Sequence, residues 1–112
     1  MKINKELSKG SNALMVLSVL ARQEMYGYQI VKTIENASDE TFVMNEGTLY
    51  PILHALEKDG ALDAYWVEVE GRKRKYYRIT DKGRKELAKK KTEWESYATA
   101  VRKVLDVKPA ST

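Results

Sequence analysis

The sequence predicts a mostly α-helical domain that carries one small β-hairpin and ends in a long helix. Three observations predict it. Apolar residues recur at helical spacing in three stretches of the first 60 positions. The period then drops to two through "LDAYWVEVEGRKRKYYRIT". Helical spacing returns in "DKGRKELAKKKTEWESYATAVRKVLDV", a helix of about 25 residues. At 112 residues the chain suits one domain with a single modest core.

The first helix is expected from about Leu7 to Arg22, with Leu14, Leu17 and Ala21 on one stripe and Leu20 beside it. "QEMYG" breaks it. A shorter second helix follows over Tyr28 to Asn36, with Ile30 and Ile34 as an inward i, i+4 pair. "ASDETFVMN" is a turn-rich connector from which Phe42 and Met44 pack down, and Asn45 is a suitable N-cap for the third helix.

That third helix, in "EGTLYPILHALEKDG", carries Leu49, Ile52, Leu53 and Leu56 on one apolar face. Gly60 is placed to end it in the left-handed conformation. Proline is harmless only in a first helical turn. Either the regular helix begins near Thr48, or it begins at Glu46 and is distorted around Gly47 and Pro51. On both readings Tyr50 and Pro51 are exposed, and His54 shares their face, where a core-building helix would ordinarily carry charge.

In the hairpin, Leu62, Ala64 and Trp66 alternate on one face, and Tyr77 and Ile79 join them after a turn at "EGRK". Arg72, Lys73, Arg74 and Lys75 lie at the tip and on the returning strand, with Tyr76 interleaved and Arg78 beyond. Four consecutive cations repel one another, an arrangement that suits anionic phosphates better than a merely solvated tip. Thr80 or Asp81 caps the last helix. Along it Leu87, Trp94 and Val101 repeat every seven residues, and Lys91, Ala98 and Leu105 occupy the next heptad position, flanked by Tyr97 and Val104. Three short helices cannot cover that stripe, so a partner helix from a second copy is expected. "KPAST" is expected to fray.

Charge divides along the chain. Residues 1–60 hold 6 Lys/Arg and 8 Asp/Glu; residues 61–112 hold 14 and 8, and the whole is +4. A basic second half points to a polyanionic partner. Without cysteine there is no disulfide, thiol nucleophile or thiolate metal site, and a reducing cytoplasm fits. The apolar run Ala13 to Leu20, broken by Ser18, is too short to span a bilayer, and no cleavage site follows it. The single histidine lacks a flanking acid pattern or nucleophile, and no Gly-rich phosphate loop lies between strand and helix. No enzyme, cofactor, metal or membrane is expected.

Three helices, a basic hairpin and a long helix form the order of a winged helix-turn-helix. There the third helix enters the DNA major groove and the hairpin tip, the wing, lies along the flanking backbone. The face bearing Tyr50, Pro51 and His54 would turn toward DNA. At these residues the chain resembles a known family. "MYGYQI", "EGTLYPILHALEKDGAL" and "GRKRKYYRITDKG", in this order and spacing, are similar to the PadR family of bacterial transcriptional regulators, over about residues 7–105. The likeness is to its short branch, with one C-terminal helix.

The expected division is a winged-helix DNA-binding domain over 1–80, a dimerisation helix over 81–107 and a disordered tail over 108–112. The resemblance implies a homodimer paired through the first and last helices, double-stranded operator DNA as partner, and repression of nearby genes. It also implies release by a small aromatic or hydrophobic effector, as in many family members. Thr48, Leu49, Tyr50 and Pro51 match the motif that opens the recognition helix. Arg72, Arg74, Lys75, Tyr76 and Tyr77 match the wing motif. Gly27 and Tyr28 match the start of the second helix, where Lys32 is a candidate phosphate contact. In some members a tryptophan near the position of Trp94 stacks on flat ligands, so Trp94 is either part of such a slot or dimer core, with Leu7, Ala13 and Leu14 as candidate lining.

One departure stands out. No Arg, Asn or Gln lies between Glu46 and Gly60, so bidentate base readout is lacking and phosphate contacts and DNA shape must carry more. The competing expectation is a winged-helix module that uses its basic face for a protein partner. Salt separates them, because binding through several phosphates weakens steeply as salt rises.

Overall fold

The computed structural model describes residues 11–108. Helix α1 spans Asn12–Arg22, strand β1 Met25–Tyr26, helix α2 Gly27–Ala37 and helix α3 Glu46–Lys58. Strands β2 (Leu62–Val69) and β3 (Arg72–Ile79) follow, and helix α4 (Asp81–Leu105) closes the chain. The sheet is antiparallel with order β1-β3-β2. Positions 7–10 of the expected first helix lie outside the described residues, as does most of the expected tail.

Each boundary has a local cause. The Asn45 side chain accepts the Thr48 N–H at 2.9 Å and starts α3 at Glu46. Of the two readings of Pro51, the earlier start holds, and α3 continues through the proline. The missing Pro51 N–H leaves the Gly47 carbonyl without its intrahelical partner, but that flank is exposed and water can serve it. At the other end, Ala61 N donates to Leu56 O at 2.8 Å and Gly60 N to Glu57 O at 3.0 Å, with Gly60 at φ +80°. This pairing requires a left-handed residue, which glycine supplies without a Cβ clash.

The hairpin turns on Glu70 and Gly71, both at positive φ, the two-residue form whose twist matches its strands. The register pairs Leu62 with Ile79, Ala64 with Tyr77, Trp66 with Lys75 and Glu68 with Lys73. Thr80 then clasps α3 to α4. Its hydroxyl donates to Gly60 O at 2.6 Å and accepts from Gly83 N at 3.0 Å, while its own N–H donates to Ala61 O at 3.0 Å.

The core joins Val16, Leu17 and Leu20 of α1, Ile30 and Ile34 of α2, and Leu49, Leu53 and Leu56 of α3 to Leu62, Tyr77 and Ile79 of the sheet. Met44 is buried and Phe42 packs beside it, as the connector's pattern suggested. Trp66 departs from expectation. Alternation puts it on the inward face, yet it is 66% exposed, because the core ends at Ala64 and Tyr77 and α3 reaches the next pair only through the Glu57–Lys75 contact. Beyond Leu87, which packs on the core, α4 runs out as a largely exposed helix, and the molecule is 72 Å long.

Candidate nucleic-acid interface

Tyr50, Glu57 and His54 fall within about 60° of one another around α3, at 100° per residue. Tyr50, Pro51 and His54 are all exposed, and the Tyr50 and His54 rings lie 6.2 Å apart. Tyr50 is less free than its sequence position suggested. Its hydroxyl rests over the first residue of α2, where a Cβ on Gly27 would meet Tyr50 Oη at 2.9 Å. The ring is therefore held against α2, and 37% of the residue remains exposed. Thr48 is half-buried.

Glu57 extends this stripe to the sheet. Its Oε1 lies 3.4 Å from Lys75 Nζ, and the same ammonium sits 5.4 Å from the centre of the Tyr77 ring. Burial raises the Tyr77 hydroxyl above its ordinary pKa, and the Lys75 charge works against that rise. Sequence reading missed Glu57 because it searched the face for cations and base readers. The contact joins residues 18 apart and has no local signature.

The run Arg72–Lys73–Arg74–Lys75 does not form one patch. Strand alternation sends Lys73 and Lys75 to the face shared with Trp66 and Tyr77, on the α3 side. Arg72, Arg74, Tyr76 and Arg78 go to the outer face. There the Arg74 guanidinium lies 4.5 Å from the Tyr26 ring centre and Arg78 5.5 Å from that of Tyr65. Tyr76 stacks on Tyr65 at 5.8 Å and meets Tyr26 edge-on at 5.5 Å. Tyr65 donates to the Glu24 carboxylate, which raises the phenol pKa, and Arg78 pairs with Asp63 at 3.6 Å. Among the described residues Arg72 and Lys73 form no ion pair. The outer cluster, with Tyr26 and Tyr65, was not anticipated; the register that pairs Tyr65 with Tyr76 is its only trace in the sequence.

Lys32 lies apart on α2, paired with Glu35 at 3.3 Å and set over Tyr28 at 5.8 Å. On α4, Trp94, Tyr97, Val101, Val104 and Leu105 are exposed, Ala98 is half-buried, and Leu87 joins the core. Ala13 and Leu14 are half-buried on α1, and Leu7 lies outside the described residues. A shallow groove of about 410 Å³ runs along α4 between Thr92 and Lys103, lined also by Glu95, Ser96, Thr99 and Ala100. It is on the side of the helix opposite Trp94. No group of three or more His or acidic side chains among the described residues is placed to hold a metal ion. None of their helices is long and apolar enough to cross a membrane.

The helix order, the exposed α3 stripe and the projecting hairpin form a winged helix-turn-helix with one long helix appended. The model of the transcriptional regulator PadR-like family matches residues 16–89. This chain belongs to the PadR-like family.

A transcriptional regulator from Clostridium thermocellum has a similar solved structure, at TM-score 0.84 and 38% identity, over 93% of this chain and 100% of that one. A PadR family transcriptional regulator from Eggerthella lenta aligns at TM-score 0.80 and 35% identity, over 92% of this chain and 88% of its own. A transcriptional regulator of Mycobacterium tuberculosis is 33% identical over 97 residues, 87% of this chain and 88% of that protein. The family and these relatives are transcriptional regulators rather than enzymes.

Proposed function

We propose that this PadR-like chain is a dimeric repressor that binds operator DNA through α3 and the wing, and that it works in the cytoplasm. The observation that carries the reading is one continuous exposed surface. It runs from Pro51, Tyr50 and His54 through the Glu57–Lys75 pair to Lys73 at the wing. Tyr50, held against Gly27 and partly exposed, is suited to a thymine methyl, and Thr48 and His54 offer single hydrogen bonds. Lys73 and Lys75 contact phosphates on this side, with Lys32 a separate phosphate contact on α2, while Arg72, Arg74 and Tyr76 lie on the other face of the wing and would reach DNA only with the tip inside a groove.

Dimerisation through α4 is supported by its row of exposed apolar side chains, Trp94, Tyr97, Val101, Val104 and Leu105. Contiguous exposed apolar rows of this kind mark interaction surfaces. Leu87 and Ala98 continue the row toward the core, with Ala13 and Leu14 on the neighbouring helix. A small aromatic effector between paired Trp94 side chains would loosen this contact and release DNA.

The test is binding of the purified protein to DNA from upstream of its own gene and neighbouring genes, against a scrambled duplex, in about 0.15 M salt and then across a salt titration. Tight, salt-sensitive preference for a native duplex is expected, and Tyr50→Ala should reduce that preference. Equal, weak binding to native and scrambled DNA would refute operator recognition. Sedimentation should give a dimer that Leu105→Glu drives toward monomer; a monomeric wild type would refute the pairing.

A further inference from the structure

Trp66 is the exposed side chain least explained by the fold. It stands on the inward-type face of β2, opposite Lys75, at a position where the core has already ended. Its indole is 66% exposed, although a tryptophan left in water forgoes one of the largest burial gains available to any side chain. Lys75 is its direct cross-strand neighbour, about 5 Å away, and Lys73 a diagonal one at about 7–8 Å. Through Lys75 the indole adjoins Glu57, and hence the same surface as Tyr50 and His54.

The chemistry of this strip is a neutral aromatic plate beside two ammonium groups, each with an acid at hand. Glu57 bonds Lys75, and Glu68 sits across from Lys73. With Lys75 engaged by Glu57, the two lysines clamp phosphate less tightly than their charges alone suggest. An indole adds what the lysines cannot, an apolar face with one N–H donor. The sugar–phosphate backbone has the matching alternation, with apolar deoxyribose faces between anionic phosphates.

We infer that Trp66 is a DNA-contacting residue that packs on deoxyribose beside the phosphates held by Lys73 and Lys75, and supplies salt-independent affinity. This rests on the proposed operator binding by α3 and the wing. A contact of this kind moves affinity without moving the salt slope, because no counterion release depends on it.

The chain has two tryptophans, so Trp94→Phe leaves Trp66 as sole reporter, and the variant is used once sedimentation and labelled-DNA anisotropy show that it binds the duplex in the same state as the wild type. Titrating that variant with the native upstream duplex should quench or shift Trp66 emission, saturating at the same concentration as the anisotropy of labelled DNA. In the full chain, Trp66→Ala should weaken binding about tenfold, the weight of a moderate interface anchor, with the slope of log K against log salt unchanged. Trp66→Phe should lose less, and Lys75→Ala should flatten the slope. Unmoved emission at saturation, or undiminished affinity in Trp66→Ala, would overturn the assignment while leaving operator binding intact. A change in sedimenting mass in Trp66→Ala would assign the indole to a second copy and also overturn it. If Trp66→Ala fails to fold, the emission titration and Trp66→Phe decide. Failure of the wild-type protein to bind any upstream duplex removes the underlying reading and this one with it.

Discussion

Glu57→Gln should tighten binding to DNA, an unusual direction for a substitution within a binding face. Lys75 Nζ and Glu57 Oε1 are 3.4 Å apart, with about a third of each side chain exposed. Coulomb's law in water gives about 1 kcal/mol at such a distance, and exposed pairs measure about 0.2–1 kcal/mol. Lys75 must forgo that much to turn toward a phosphate, so releasing it should lower Kd by up to about fivefold. The Glu57 charge also repels phosphates from the stripe it shares with Tyr50 and His54, which adds in the same direction. Glutamine keeps the shape and one acceptor oxygen, so the thermal midpoint should hardly move. The assay is anisotropy of a labelled native duplex across a salt series. Affinity should rise, while the slope of log K against log salt should stay near the wild-type value, because Lys75 meets one phosphate in both proteins and only the cost of reaching it changes. In a Lys75→Ala background the gain in affinity should shrink, leaving only the relief of the repulsion that Glu57 itself exerts. Weaker binding with unchanged stability would refute the reasoning, since Glu57 would then be an acceptor for the DNA rather than a restraint on Lys75.

Gly83→Ala should destabilise the fold by about 1–3 kcal/mol, the usual cost of forced overpacking, despite alanine's better helix propensity. The new Cβ would lie 2.2 Å from the Ala61 carbonyl oxygen and 2.7 Å from Ile79 Cγ1; a raised midpoint in a thermal melt would contradict this. Stability should also fall in alkali. Tyr77 is buried with its pKa raised above the ordinary tyrosine value of about 10, so the unfolded phenol ionises first. The contribution is whole below about pH 10 and drains as pH climbs through the folded-state value, a loss that Tyr77→Phe should reduce in melts run across that range.

The elements legible in the sequence are those specified by local chemistry. Asn45 fixed the start of α3, the Gly60 signal its end, and period two the hairpin, because caps, turns and alternation act over a few residues. Strand β1 was illegible for the same reason. Two residues have no periodicity, and Met25 and Tyr26 are a strand only because Tyr77 and Tyr76 lie beside them. Alternation correctly gave the face of Trp66, but burial depends on how far α3 extends over that face, which is a tertiary property. The Glu57–Lys75 contact belongs to the same class. Gly27 could be read as the start of α2, but its contact with the Tyr50 hydroxyl could not.

For the wing cations, by contrast, the rule that separates them was legible and went unused. As a run of letters, "RKRK" is a single patch of four charges. Under the strand period that the hairpin already demanded, it is two pairs on opposite faces, and Arg74 is further engaged with Tyr26. DNA lying only on the α3 side meets Lys73 and Lys75, so the wing should contribute about two phosphates, or roughly −1.8, to the salt slope. Substituting Arg74 would then change that slope little, while Lys73→Ala should lower it by nearly one charge. If both substitutions flatten the slope equally, DNA touches both faces of the hairpin. That outcome would place the tip inside a groove, with backbone strands on either side, rather than along one flank.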